Sequence, residues 1–265
     1  MSASERTRKP AVAGTFYPAD AEELAAAVDA ALAAAVSLDE PAPKALIAPH
    51  AGYVYSGPIA GSAYARLAPF RSAIERVVIL GPAHRVPVAG LAVSGADGFA
   101  TPLGVIEVDT QARRRVLTLA QVRVDDDAHA SEHSLEVHLP FLQRLLDCFR
   151  ILPLVVGHAA PAIVADVLDL VWGGAETLIV ASSDLSHYHD YATATARDQR
   201  TAAAIAALET EKIGPEDACG AYPVKGLLEA ARRHGLVVRV LDLRNSGDTA
   251  GARSEVVGYG AFALS

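Results

Sequence analysis

Cysteine, methionine, tryptophan and basic charge are all scarce in this 265-residue chain, which has two Cys, one Met, one Trp and 6% aromatic residues. Cys148 and Cys219 stand far apart without a CxxC spacing, so neither a disulfide scaffold nor a zinc ribbon is expected. A reducing, cytoplasmic setting fits that usage. Lys and Arg number 23 against 31 Asp and Glu, giving a net charge of -8 and a pI near 5.6, a balance that argues against a nucleic-acid partner. The short basic runs at residues 6–9 and 113–115 suit a solvated terminus and a helix face. Long hydrophobic runs are missing too. Pro10, Gly14 and Pro18 break the N-terminal region before a signal-peptide core can form. The Ala-rich stretch at 24–36 carries Asp29 and is too short for a bilayer, so no membrane segment is expected.

What is present is a chain 51% hydrophobic, long enough to bury one large core without help from a metal or disulfide. Any metal would therefore be functional. Nothing in the composition divides the chain, so one domain over 1–265 is expected, with residues 1–9 as a flexible tail.

The pattern is α/β. Asp20, with Glu23 three positions on, predicts a helix N-terminus followed by an Ala/Leu-rich helix to about residue 36. KALIAP at 44–49 reads as a short buried strand, HAGYVYSG as an irregular loop, and residues 58–67 as the next helix. ERVVILGPAH supplies a second strand. Two strand ends 34 positions apart thus each release a histidine, His50 and His84, which is the spacing of one βαβ unit. Both would lie at the carboxyl edge of a parallel sheet, where open α/β sheets bind ligands. GLAVSG and GVIEVD read as strands of a hairpin or mixed-sheet excursion, and 110–121 as a helix. The run Asp125–Asp127 lacks calcium-loop spacing. Leu135, Leu139, Leu142 and Leu146 show a helical period that Pro140 must kink or restart. FRILPLVVG and ETLIVASSD are further strands with a helix between them; helices over about 194–208 and after Pro223, then two closing strands, complete a central, mostly parallel or mixed sheet flanked by helices.

Metal-competent groups recur where strands end or helices begin: His50, His84, Asp184 with His187, and Cys219. Any one alone is more often a structural residue. Together, two neutral imidazoles and a thiolate make a three-ligand site with open positions. Gly220 and Pro223 place Cys219 at a helix approach, where the dipole would favour thiolate; a small buried hydrophobe is the competing reading. Asp184 and His187, three apart, can share a face, the carboxylate orienting an acid–base imidazole, although a helix cap is an equal reading of Asp184. Ser182 and Ser183 have a nucleophile's chemistry but no GxSxG elbow. EHSLEVH is not HExxH, so a zinc-peptidase reading is poor. Glu132 and His133 are expected to face substrate or support the ligands, and His138 to lie at the surface. Tyr53 and Tyr55 offer aromatic contact area beside the pocket.

GTFYP, PHAGYVYSG, LGPAH, EHSLEVHLPFLQ, SSDLSH and CGAYPVKG, in that order across about residues 9–264, resemble the Memo family. The resemblance implies a fold like that of the class III extradiol ring-cleaving dioxygenases, whose iron(II) is held by two histidines and a glutamate. It implies His50 and His84 as the histidine ligands, Cys219 in place of the glutamate, and His187 as the acid–base residue with Asp184 beside it. The cofactor it implies is a divalent or redox metal, iron(II) first, with copper or zinc favoured by a softer thiolate. A metal-dependent oxidoreductase follows, against two alternatives: a metal-dependent hydrolase, and a non-catalytic module binding a small molecule or peptide. AMMECR1-domain and radical-SAM proteins are the pathway partners the resemblance suggests.

Overall fold

The computed structural model describes residues 6–36 and 41–265. In chain order its first elements are β1 (Thr7–Arg8), α1 (Ala21–Ala33), β2 (Ala45–Ala48), α2 (Tyr53–Tyr64), β3 (Arg76–Pro82), β4 (Leu91–Val93), β5 (Gly98–Thr101), β6 (Gly104–Glu107), α3 (Thr110–Val116) and β7 (Val122–Val124). They continue with α4 (Asp126–Ala130), α5 (Leu139–Leu145), β8 (Arg150–Val156), α6 (Pro161–Val171), β9 (Thr177–Ser182), β10 (His187–His189), α7 (Tyr191–Ala206), α8 (Ala221–His234), β11 (Val238–Asn245) and β12 (Val256–Leu264).

Among the described residues nine strands form one mixed sheet in the order β10-β12-β2-β9-β3-β8-β4-β7, with β11 also paired to β12. Its centre, β2-β9-β3-β8, is parallel, and β12 and β4 flank that centre antiparallel. GLAVSG becomes β4 and joins the main sheet between β8 and β7, whereas GVIEVD becomes β6 and pairs with β5, a strand in the segment expected to be the turn; β5 also pairs with β1, making a separate small sheet.

The central strands are apolar in all but their end positions because helices cover both faces. Alternate residues divide between two cores: Leu46, Val77, Ile79 and Val180 pack with α1, α2 and α5, whereas Ile47, Val78, Leu80 and Ile179 pack with α6 and α8. The crossover from β2 to β3 runs through α2 on one face and that from β8 to β9 through α6 on the other. β2 and β3 are therefore not neighbours, as their histidines alone suggest. β9 lies between them, and its C-terminal loop enters the site from the middle.

Three local expectations change. α2 starts at Tyr53, within the segment expected to be a loop, and contains Pro58. The hydrogen bond Pro58 cannot donate belongs to the carbonyl of Val54, which lies at a solvent-exposed position. The same helix lies so close to α1 that a Cβ on Gly61 would stand 2.3 Å from the Ala31 carbonyl oxygen. After Leu135 the chain forms a single 3-10 turn, Glu136–His138, and Pro140 then sits in the first turn of α5, so it restarts the helix. α7 begins at Tyr191, three residues early, because Asp190 caps it by accepting from the Ala192 and Thr193 N–H groups.

Of the expected N-terminal tail, residues 1–5 lie outside the described residues, but Thr7 and Arg8 are part of the fold. Arg8 is buried, donating to the His129 and Glu132 carbonyls and pairing with Glu136. Glu136 is fully buried and also accepts from the Tyr17 hydroxyl and the N–H groups of Ala11 and Val12. One carboxylate thus ties the N-terminal segment to the core.

Candidate metal centre

His50 follows β2. Its N–H donates to Asp184 Oδ1 at 2.8 Å, its ring Nδ1 lies 2.6 Å from Ser182 Oγ, and its Nε2 lies 3.2 Å from Cys219 Sγ. Burial, reinforced by the imidazoles of His84, His133, His138 and His187, holds its pKa well below the usual histidine range, so the ring is neutral. His84 follows β3 and is gripped twice by Glu132: its N–H donates to Oε2 at 2.7 Å and its ring Nδ1 to Oε1 at 3.0 Å. Burial opposes ionisation of Glu132, but the His84 ring and the N–H groups of Ser134 and His84 outweigh it and bring the carboxyl down to about 2. An ionised carboxylate only accepts, so the Nδ1 of His84 carries a proton, and in the neutral ring Nε2 offers a lone pair.

His133 stacks on His84 with ring centroids 4.7 Å apart and meets His50 edge-on at 5.5 Å. Burial lowers it to about 4, against the pull of Glu132. Its Nδ1 is buried 3.5 Å from Glu132 Oε1, too poorly placed for a hydrogen bond. One ligand atom each from His50, His84 and His133 lie within 4.8 Å of one another, a group that could hold a metal ion. Imidazole nitrogens such as these, among them Nε2 of a neutral His84 ring, are donors of the kind a divalent cation takes.

Cys219 meets this group through His50. Bonds of about 2.05 Å to nitrogen and about 2.3 Å to sulfur place two ligands of one ion about 3.1 Å apart at a right angle and about 3.6 Å apart at the tetrahedral angle. The 3.2 Å between His50 Nε2 and Cys219 Sγ falls between these limits. Cys219 is held by backbone exchange with the β9 loop: its N–H donates to the Asp184 carbonyl, and its sulfur accepts from the Asp184 N–H at 3.3 Å. Gly220 passes so close that a Cβ there would lie 2.3 Å from the Ser182 carbonyl oxygen. The helix field expected to favour thiolate is overcome: burial pushes the Cys219 thiol up, and the Asp184 charge adds to it. A bound cation is what reverses that sign.

Asp184 is buried, and its carboxyl is raised to about 7 by that burial, against the His50 and Ala51 N–H groups. Its carboxylate clamps the backbone after β2 rather than meeting the His187 ring it was expected to orient. His187, on β10 and half-buried, has its pKa lowered by burial, with the Leu185 backbone opposing the shift. Tyr188, next to it, has a left-handed backbone with φ 59°, rare for a bulky residue and a form of strain that collects at functional loops. His50, His84, His133, Asp184, His187 and Cys219 open into a cavity of about 810 Å³ whose walls include Phe16, Tyr55, Arg85, Tyr188, Glu255 and Tyr259.

A family model described as Memo-like protein matches residues 8–263. The chain belongs to the Memo-like family. A MEMO1 family protein of Aquifex aeolicus is 40% identical over 265 residues, covering 96% of this chain and 97% of that protein. Another from Aeropyrum pernix is 39% identical over 280 residues, covering 97% and 99%. Among solved structures, that of the uncharacterized protein JW3007 from Escherichia coli K12 aligns with a TM-score of 0.52 at 16% identity, over 81% of this chain and 98% of that one. At that identity the likeness is one of fold.

Within this Memo-like chain the structure gathers His50, His84, Cys219, Asp184 and His187 around one cavity. His133, expected to face substrate or support the ligands, joins His50 and His84 in the metal-competent group. Glu132 is 1% exposed and supports His84 instead of facing substrate. Tyr55 reaches the cavity, but Tyr53 turns away: its hydroxyl donates to the Val137 carbonyl, and it lines a separate apolar cavity of about 550 Å³ between α1 and α2. His138, expected at the surface, is 1% exposed, with Nε2 2.7 Å from Ser182 Oγ. Ser182 is the residue sequence reasoning undervalued. Its signal is a hydroxyl that closes the apolar run of β9.

Proposed function

We propose that this Memo-like protein is a metal-dependent oxidoreductase of dioxygenase type, with iron(II) as the favoured ion and copper or zinc as the ions its sulfur would also accept. The reading rests on one observation: imidazole nitrogens of His50, His84 and His133 lie within 4.8 Å of one another beside a thiol and an open cavity. His50, His84 and Cys219 would hold the ion, with His133 as a further donor or a contact to bound substrate. A bound redox metal supplies electron transfer and O2 activation, for which the protein groups have no chemistry of their own.

The chain's own residues do the rest. Phe16, Tyr55, Tyr188 and Tyr259 offer flat apolar walls to an organic substrate and displace water from it. His187 lines the cavity, and burial lowers its pKa, so its ring can exchange a proton with substrate. Asp184 fixes the His50 loop in place.

Anaerobic Fe(II) titration of wild type and His50→Ala tests the site, and equal affinity in both would remove it. O2 consumption by the loaded protein with catechol-like probes tests the reaction class. Turnover that persists without O2 would make the protein a hydrolase on the same ligands. The Tyr55 ring, 40% exposed at the cavity wall, favours a second reading as a binding module for a small molecule or peptide. Stoichiometric O2 uptake with substrate contradicts that reading.

A further inference from the structure

The hydroxyl of Ser182 has three partners within hydrogen-bond distance: the Ser134 carbonyl oxygen at 2.6 Å, His50 Nδ1 at 2.6 Å and His138 Nε2 at 2.7 Å. A serine hydroxyl has one proton to give and two lone pairs to receive. The carbonyl cannot donate, so an oxygen–oxygen contact of 2.6 Å requires the serine proton to lie on that line. Both imidazoles must then donate to Ser182. Ser182, His50 and His138 are each at most 2% exposed, so water does not offer an alternative arrangement.

We infer that Ser182 is a tautomer lock, a positioning residue that keeps His50 in its Nδ1–H form and presents the Nε2 lone pair to Cys219, His84 and His133. In solution the Nε2–H form is open to any imidazole. Here it would set the Nδ1 lone pair of His50 against Ser182 oxygen lone pairs and fill the nitrogen that faces the cluster. His138 strengthens the lock by occupying the second acceptor position of Ser182. The Ser134 carbonyl completes it from a segment shared with the other ligand, since the Ser134 N–H donates to Glu132, which sets the tautomer of His84. Two hydrogen-bond systems thus prepare two imidazoles for one ion, and both meet at Ser134.

The tautomer follows from hydrogen bonding alone. Only its effect on metal affinity rests on the proposed metal site, so the two can fail separately. The test is long-range proton–nitrogen correlation of metal-free, histidine-labelled protein. Wild type is expected to show His50 as the Nδ1–H form, and Ser182→Ala to show it mixed or converted to Nε2–H, while His84 stays Nδ1–H in both as an internal control of folding. Fe(II) or Zn(II) affinity should fall about 10- to 100-fold in Ser182→Ala, the usual effect of removing a residue that orients a ligand. His50 found as Nε2–H in wild type overturns the inference, and that spectrum decides even if the variant does not fold. A folded Ser182→Ala protein that keeps His50 wholly Nδ1–H overturns it as well. Wild type that shows the lock but takes up neither metal overturns the metal-site reading and leaves the lock standing.

Discussion

Replacing Glu136 by Gln changes one atom of a fully buried side chain and is expected to cost the protein a large share of its stability margin. Oε2 accepts from Arg8 and the Ala11 N–H; Oε1 accepts from the Tyr17 hydroxyl and the Val12 N–H. An amide retains one accepting oxygen and turns an NH2 toward two donors on the other side. Each orphaned donor costs about 1–3 kcal/mol, and leaving the Arg8 charge buried without its counter-ion costs about 3–5 kcal/mol. These terms overlap, so a loss of about 4–6 kcal/mol is expected, against a total of about 5–15 kcal/mol for a typical domain. Urea unfolding measures it, and proteolysis locates it: cleavage should appear first within residues 6–18, before α1. Phe16 packs on His133 with ring centroids 4.7 Å apart, so metal affinity should fall as well. Adding Arg8→Met should recover part of the loss by removing the stranded charge. A Glu136→Gln protein within about 1 kcal/mol of wild type and equally protease-resistant would refute the assignment of Glu136 as the anchor of the N-terminal segment.

Three other perturbations probe different parts of the molecule. Glu132→Gln leaves one accepting oxygen where the carboxylate offers two, so it cannot hold both the N–H and the ring of His84, and it should weaken metal binding about 10- to 100-fold by titration; unchanged affinity would mean that His84 is not a ligand. Gly220→Ala forces a Cβ into the Ser182 carbonyl and should cost about 1–3 kcal/mol in denaturant while pulling Cys219 away from His50, seen as a parallel drop in metal uptake. His129 is 1% exposed, and burial lowers its pKa from 6.5 to about 4, so the folded state binds fewer protons than the unfolded chain between those values. Stability from this group is complete above pH 6.5 and lost as pH falls toward 4, about 3 kcal/mol in all. His129→Gln, which keeps a donor for the Ala92 carbonyl, should flatten that part of the pH profile, and an unchanged slope would assign the acid sensitivity elsewhere.

Much of this arrangement is legible in the sequence because apolar runs end in abrupt polar residues. KALIAP and ETLIVASSD become β2 and β9, and the groups just beyond them enter the site. Strand order is not legible. His50 and His84 look like the ends of neighbouring strands, yet β9 separates them, since the sequence records the length of a crossover and not how many strands it passes over. The errors at Tyr53 and His138 share a cause. α2 starts with no side-chain cap hydrogen bond, and a proline inside it hides the start, so Tyr53 reads as loop when it is first-turn helix pointing into the core. His138 reads as solvent-facing because a polar residue in a leucine-rich stretch usually is. Its burial rests on a partner, Ser182, 44 residues away, which no local pattern reveals. His133 is visible as a histidine, but its place among the ligands depends on Glu132 turning back to His84 across 48 residues.

β2 and β9 are apolar on both sides, with Ala48 opposite Ser182 in their pairing. A shift of one residue between them would exchange one greasy surface for another and meet little resistance from solvent, unlike the strands of a sheet with one wet face. Such a misthreaded chain would still be compact, but it would point Ser182 into the wrong layer and pull it from His50. Ions bound per chain, rather than helix content or melting temperature, would then be the sensitive gauge of how much of a refolded preparation has zipped together correctly.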